Sequence, residues 1–231
     1  MKHIPRLYIK EEIVTGREIF LSEERRHHIF GVLRISPGCR IDVFNNISGE
    51  WQGELKNNEI ITPLQLIRPP LPEPGANIAC ALINPHKFAF MIEKITELGI
   101  KEITPIITEY TQYKDFNIGR ITKIAIQACE QSRRLSIPII HQVVHLTRFL
   151  ESFPKSSNLL IGNENKRKIY LKECLAEDCT FLIGPEGGFS EAENELFLHY
   201  DFIKQFYFGR NILRSETAAI AFTASWAFRY L

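Results

Sequence analysis

The sequence predicts an α/β protein: a small β-barrel carrying one helix, followed by a larger domain built on a mostly parallel sheet. Three observations carry that expectation. Short strand-like runs separated by turn signals fill residues 1–68. The stretch Arg68-Pro69-Pro70-Leu71-Pro72-Glu73-Pro74-Gly75 then places four prolines in a row of eight residues, which forbids a helix and favours a stiff connector. Beyond it, apolar runs alternate with helical stripes, the pattern of a sheet covered on both faces. The division predicted is residues 1–70 for the barrel and 75–231 for the sheet domain.

In the first domain, Arg6-Leu7-Tyr8-Ile9, Arg40-Ile41-Asp42-Val43-Phe44 and Glu59-Ile60-Ile61-Thr62 read as strands, with Ser36-Pro37-Gly38 and Asn45-Asn46 as turns. One helix interrupts them, from Ser22 to Leu33; Ser22 can cap it, and Ile29, Val32 and Leu33 share a face. In the second domain, residues 77–83 form a buried strand, and a helix follows with Phe88, Met91, Ile95 and Leu98 on one stripe, ending at Gly99. Glu102–Thr108 is the next strand, and Ile118–Gln131 a helix with Ile121, Ile124, Ala125 and Ala128 inward. Asn158–Ile161, Thr180–Ile183 and Gln205–Phe208 are further strands. Ser190-Glu191-Ala192-Glu193 is a capping box opening a helix. The last helix carries Ala219, Phe222, Trp226 and Tyr230 at helical spacing.

Composition is that of an ordinary soluble protein, with 45% hydrophobic and 24% charged residues. No apolar run reaches membrane-spanning length and the start lacks the apolar stretch of a signal peptide, so a cytoplasmic location and no membrane partner are expected. Five cysteines without a CxxC give neither a disulfide framework nor a metal site; Cys39, Cys80, Cys129, Cys174 and Cys179 read as reduced, mostly buried thiols. His141 and His145 have helical spacing but no HExxH carboxylate, and read as structural or surface histidines. The net charge is only +1, yet basic residues cluster at Arg25-Arg26-His27-His28, Arg133-Arg134 and Lys166-Arg167-Lys168, which keeps a local phosphate-binding surface in play.

The chemistry concentrates in two glycine-bearing motifs, Phe181-Leu182-Ile183-Gly184-Pro185-Glu186-Gly187-Gly188-Phe189-Ser190 and Phe208-Gly209-Arg210-Asn211-Ile212-Leu213-Arg214-Ser215-Glu216-Thr217-Ala218-Ala219. Each is an apolar run that stops at glycine before a helical pattern, the junction that builds ligand sites at the strand ends of an α/β sheet. Neither fits a P-loop, a GxGxxG fingerprint or a GxSxG elbow, so phosphate cradling, dinucleotide binding and acyl transfer lack support. What remains is exposed backbone beside the apolar walls of Ile183, Phe208, Ile212 and Leu213, which suits an adenine ring.

These two motifs resemble the signatures of the 16S rRNA uridine-N3 methyltransferases, S-adenosylmethionine enzymes of the SPOUT class. The resemblance extends to Lys94-Ile95-Thr96-Glu97-Leu98-Gly99 and to Ala128-Cys129-Glu130-Gln131-Ser132 with Arg134 and Pro138; in the first domain it rests on His28-Ile29, Val32-Leu33-Arg34 and Gly38. It implies a PUA-like RNA-binding barrel before a trefoil-knotted SPOUT domain, although chains seldom thread loops. It further implies S-adenosylmethionine as cofactor, a homodimer, and 16S rRNA as partner; the weak net charge points to rRNA within the assembled small subunit rather than free RNA. Ile161, Gly162, Ile183, Gly184, Gly188, Phe208, Gly209, Ile212 and Leu213 would then hold the cofactor. The chain departs from the family where Glu109-Tyr110-Thr111-Gln112 stands in place of an arginine context after the second strand, and residues 141–157 match no family pattern.

Methylating N3 of uracil requires an unpaired base, alignment of nucleophile and methyl, and loss of the N3 proton. Arg214 is expected to hold the charge developing on the base, with Glu186 and Glu216 as candidate proton acceptors. Arg6, Arg34, Arg133 and Arg134 are the candidate RNA contacts. Two other readings stay open at this level: a non-catalytic RNA-binding assembly factor, and a methyltransferase acting on another RNA position such as a ribose 2′-hydroxyl.

Overall fold

The computed structural model describes residues 4–32, 34–163 and 170–231; Leu33 and the Lys166-Arg167-Lys168 cluster lie outside them. Two compact units form, Met1–Glu73 with Cys129–Ile137, and Pro74–Ala128 with Pro138–Leu231.

The first unit is a five-stranded sheet of β1 (Arg6–Tyr8), β2 (Ile19–Phe20), β3 (Arg40–Asn45), β4 (Gly49–Leu55) and β5 (Ile60–Arg68), in the order β1-β3-β4-β5-β2. Only β1 and β3 run parallel. Register shifts at Glu50/Trp51 and Gln52/Gly53 interrupt the β4–β5 ladder, the kind of irregularity that bends a sheet on itself. Leu7, Ile9, Ile41, Val43, Leu55 and Ile61 alternate inward to fill its core.

The helix expected from Ser22 to Leu33 is corrected. Ser22 does cap it, its hydroxyl accepting from Arg25 N–H at 3.4 Å, but α1 (Glu23–Arg26) gives way after one turn to a π-helix, His27–Val32. Gly31 allows this: the His27 ring lies 3.3 Å from where a Cβ would stand, so a larger residue would crowd the widened turn. Ile29 is buried as expected.

The second unit holds β6 (Asn77–Ala81), α2 (Pro85–Glu97), β7 (Glu102–Ile107), α3 (Ile118–Ser132), β8 (Ile139–Ile140), β9 (Val144–His145), α4 (Leu146–Ser152), β10 (Leu159–Gly162), α5 (Leu171–Cys174), β11 (Thr180–Ile183), α6 (Glu191–Phe197), β12 (Ile203–Phe206) and α7 (Ser215–Tyr230), with the last residues of α3 belonging to the first unit. The strands lie in the order β12-β10-β11-β6-β7-β8, with β9 also on β7, and every pairing is parallel. Both faces are covered. On one, Leu146 and Leu150 of α4 and Phe197 of α6 pack on Ala79, Leu159 and Leu182. On the other, Phe222 of α7 packs against Phe181 and Phe206, and α7 lies along α2. Gly99, at φ +95°, stops α2 in the left-handed conformation that favours glycine.

Three local expectations change. The strand read as Gln205–Phe208 is Ile203–Phe206, because Tyr207 leaves the ladder to bridge Tyr170 and Phe208 turns onto the edge of Phe222. Residues 141–157 contain β9 and α4, whose Leu146 and Leu150 are core residues. His141 and His145 share no helix: His141 follows β8 with its ring nitrogen 2.8 Å from Glu102 Oε2, and His145 closes β9. The carboxylate missing from the local sequence comes from the neighbouring strand.

Candidate active site

The strand order sets the site. Because β12, β10 and β11 are neighbours and parallel, Gly162, Gly184 and the segment from Tyr207 to Gly209 leave the sheet side by side at its C-terminal edge. The three segments line one cavity of about 610 Å³. All nine residues expected to hold the cofactor border it: Ile161, Gly162, Ile183, Gly184, Gly188, Phe208, Gly209, Ile212 and Leu213.

The glycines answer to geometry. A Cβ on Gly162 would stand 2.8 Å from Phe222 Cζ, so any side chain there would displace a ring of the packed core. A Cβ on Gly184 would meet Phe189 Cε2 at 3.0 Å. Gly188 (φ +72°) and Gly209 (φ +140°) adopt backbone that other residues rarely reach. Five glycines thus line the wall, Gly162, Gly184, Gly187, Gly188 and Gly209, while Leu182, Leu213 and Phe222 supply apolar surface. The volume falls within the usual range for small-molecule sites of about 300–1,000 Å³.

Polar lining residues outside the set expected to hold the cofactor include Asn163, Asn194 and Gln205, and Asn211 of the second motif. Asn163 Nδ2 donates to Gln205 Oε1 at 2.8 Å, tying β10 to β12 across the cavity floor. Asn194 donates to Phe189 O and Ser190 O at 3.1 and 2.9 Å, fixing the end of the glycine loop. Asn163 directly follows Gly162, the single cue its position offered.

The predicted catalytic residues are placed differently from one another. Arg214 is the N-cap residue of α7 and is exposed, between Leu213 and Ser215, which both line the cavity. Its side chain makes no hydrogen bond or ion pair among the described residues. Glu216 lies in the first turn of α7, half-buried, and its Oε2 is buried with no hydrogen-bond partner among the described residues. Glu186 lines the cavity but is exposed, 3.7 Å from Lys87 Nζ.

In the first unit, two of the four arginines expected to contact RNA are committed elsewhere. Arg6 is 8% exposed; its Nε is 2.5 Å from Glu50 Oε1, its other nitrogens donate to the carbonyls of Cys129, Glu130 and Arg134, and its guanidinium lies 4.0 Å over the Phe44 ring. Arg134 is held by Glu73 at 3.5 Å and by Ser136 Oγ at 3.1 Å, with its side chain 10% exposed. Burial would raise the Glu73 carboxyl, but hydrogen bonds from Ser136 and the Leu135 N–H, with the charge of Arg134, leave it below the ordinary range. Both guanidiniums thus make these contacts inside the first unit. Arg34 and Arg133 are exposed, and they are the two non-glycine residues with positive φ among those described, at 52° and 64°.

Comparison with known proteins fits this geometry. The profile of an RNA methyltransferase domain matches residues 71–227, and that of an RNA methyltransferase PUA domain matches residues 21–61. Ribosomal RNA small subunit methyltransferase E of Rickettsia conorii is 34% identical over 226 residues, covering 93% of this chain and 91% of its own. Its counterpart in Buchnera aphidicola subsp. Acyrthosiphon pisum is 32% identical over 233 residues, covering 95% and 91%. Among solved structures, ribosomal RNA small subunit methyltransferase E from Neisseria gonorrhoeae bound to S-adenosyl methionine has a TM-score of 0.89 at 25% identity, over 99% of this chain and 98% of that one. A putative methyltransferase from Legionella pneumophila in complex with the bound cofactor SAM has a TM-score of 0.90 at 27% identity, over 98% of both chains. The fold is thus that of the SPOUT methyltransferases with an N-terminal PUA domain. The chain belongs to the RNA methyltransferase family whose members include ribosomal RNA small subunit methyltransferase E.

Proposed function

We propose that this chain is an S-adenosylmethionine-dependent methyltransferase that methylates N3 of one uridine in 16S rRNA, working in the cytoplasm as a homodimer on the assembled small subunit. The observation that carries the reading is the convergence of three glycine-ended segments, from adjacent parallel strands, on one backbone-lined cavity. The residues present fit an adenosyl group: apolar walls for its ring faces, glycine main chain for its edges, and no side chain where a Cβ would intrude. Bound there, S-adenosylmethionine supplies an electrophilic methyl on a sulfonium.

The protein's own part is positioning and charge. As N3 takes the methyl it gives up its proton, and negative charge spreads to the flanking carbonyls. Arg214, exposed beside the cavity and free of protein partners among the described residues, holds that charge through its guanidinium fork. Glu186 and Glu216 are the candidate proton acceptors: Glu186 lines the cavity and stands near Lys87, whereas Glu216 has a buried Oε2 without a partner among the described residues but is not among the cavity-lining residues. Arg34 and Arg133 contact phosphate. Each is an exposed arginine in a backbone conformation that costs about 1–3 kcal/mol, a cost that clusters at functional sites.

The homodimer is supported by a second, apolar groove of about 760 Å³ along α7, bordered by Tyr170, Tyr207, Phe208 and Phe228. Phe228 is 95% exposed on α7, whose other side is core, and Leu231, just after the helix, is 72% exposed.

The test is methylation of small subunits purified from cells lacking the protein, with nucleoside mass spectrometry of the product. Wild type should yield 3-methyluridine, and Arg214→Ala should lower kcat at least 100-fold while binding S-adenosylmethionine normally in calorimetry. Near-normal turnover would remove Arg214 from the mechanism, and a different methylated nucleoside would replace the assigned reaction.

A further inference from the structure

The turn after β7 carries an exposed ring on a rigid mount. Thr108 N–H donates to Thr111 Oγ1 at 2.9 Å, the two hydroxyls are 2.9 Å apart, and Thr111 N–H returns to Thr108 O at 3.2 Å. Both threonines are 6% exposed. Between them, Glu109 N–H donates to Glu193 Oε1 at 2.9 Å, while the other oxygen of that carboxylate accepts from Ser190 N–H at 2.9 Å. The backbone around residue 110 is therefore fastened to the core and to the start of α6.

Tyr110, between these anchors, is 48% exposed. Its ring lies against Gly187: a Cβ on that glycine would be 3.3 Å from Tyr110 Cβ and 3.6 and 3.7 Å from its Cδ2 and Cγ. Gly187 in turn lines the 610 Å³ cavity. A large, half-exposed aromatic thus stands beside a glycine of the cavity rim, at the place where this chain has Glu109-Tyr110-Thr111-Gln112.

We propose that Tyr110 is the stacking platform for the target base, holding the unpaired uracil by ring-on-ring contact at the rim so that N3 faces the cavity. The proposal rests on the reading of the chain as a methyltransferase acting on an unpaired base. Unstacked bases are commonly held on aromatic side chains, because each base offers a flat face and stacking needs no matched donors. The mount adds to this. A ring carried on backbone that is fixed before the RNA arrives leaves less freedom to lose on binding. The glycine at 187 leaves room for this placement, since a Cβ there would stand 3.3 Å from Tyr110 Cβ, a tight approach that would shift it slightly.

The experiment compares wild type, Tyr110→Phe and Tyr110→Ala on small subunits from cells lacking the protein, following transfer of a labelled methyl, with S-adenosylmethionine affinity measured in parallel by calorimetry. Removing the ring should lower kcat/KM for the subunit about tenfold to 100-fold, the usual worth of one stacked base. The phenylalanine variant should stay within about twofold of wild type, and cofactor affinity should be unchanged in both. Full activity in Tyr110→Ala would overturn the proposal. So would lost cofactor binding, which would make the ring a prop for the glycine loop, or a phenylalanine variant as poor as alanine, which would assign the role to the hydroxyl. If wild type itself transfers no methyl, the parent reading fails and this one with it.

Discussion

Arg6 uses its guanidinium entirely inside the first unit, on one carboxylate, three carbonyls and a ring. Burial pulls its pKa below the usual arginine value even with Glu50 alongside, a sign of how far the group has been taken from water. Removing one partner of such a pair leaves the other charge stranded. Arg6→Ala should destabilise by about 3 kcal/mol, at the low end of the range for a broken buried ion pair. The low end applies because Arg68 remains 3.0 Å from the second oxygen of Glu50. A shift of the urea midpoint is the readout, and an unchanged midpoint would mean that the pair contributes nothing. The sequence marked Arg6 and Arg34 alike as basic residues of an RNA-binding domain. What separates them is a contact between residues 123 positions apart, which no local pattern encodes. Gly162 is the opposite case. Its place at the end of an apolar run was legible, whereas the reason for it, the Phe222 ring, arrives from the last helix.

At the scale of elements, what could be read was what depends on neighbours in sequence. The capping box is present in both directions, with Ser190 Oγ accepting from Glu193 N–H at 3.2 Å and Glu193 Oε2 from Ser190 N–H at 2.9 Å. Its carboxylate has a second task that the motif did not announce, since Oε1 takes the Glu109 N–H. The two roles separate by mutation. Ser190→Ala loses the cap alone and should cost about 1 kcal/mol, or about 2–4 °C in melting temperature for a chain of this size. Glu193→Ala removes the acceptor of two N–H groups on two elements, one of them part-buried, and should cost more. Equal losses would show that the bond to Glu109 adds nothing. The π-helix and the early end of β12 were both illegible. The bridge between Tyr207 and Tyr170 that ends β12 is a tertiary contact, whereas the His27 ring over Gly31 is a local contact that no cap or apolar periodicity announces.

At the scale of the molecule, the cofactor cavity and the apolar groove share a wall. Phe208 and Gly209 line both. Phe208 packs edge-on to Phe222 at 4.8 Å, and Phe222 is the ring that closes over Gly162. Whatever covers the groove therefore braces the segment that borders the cofactor, so the proposed homodimer and cofactor affinity should be coupled. Phe228→Glu places a charge on the most exposed apolar side chain of α7, which touches the groove and not the cavity. Burying an unpaired carboxylate in an apolar contact is costly enough to prevent it. The variant should sediment as a monomer, keep its melting transition, and bind S-adenosylmethionine about tenfold more weakly, which corresponds to the 1.4 kcal/mol scale of a typical coupling between sites. A monomeric variant with undiminished affinity would leave the dimer without a part in the site. A monomeric wild type at micromolar concentration would remove the dimer itself.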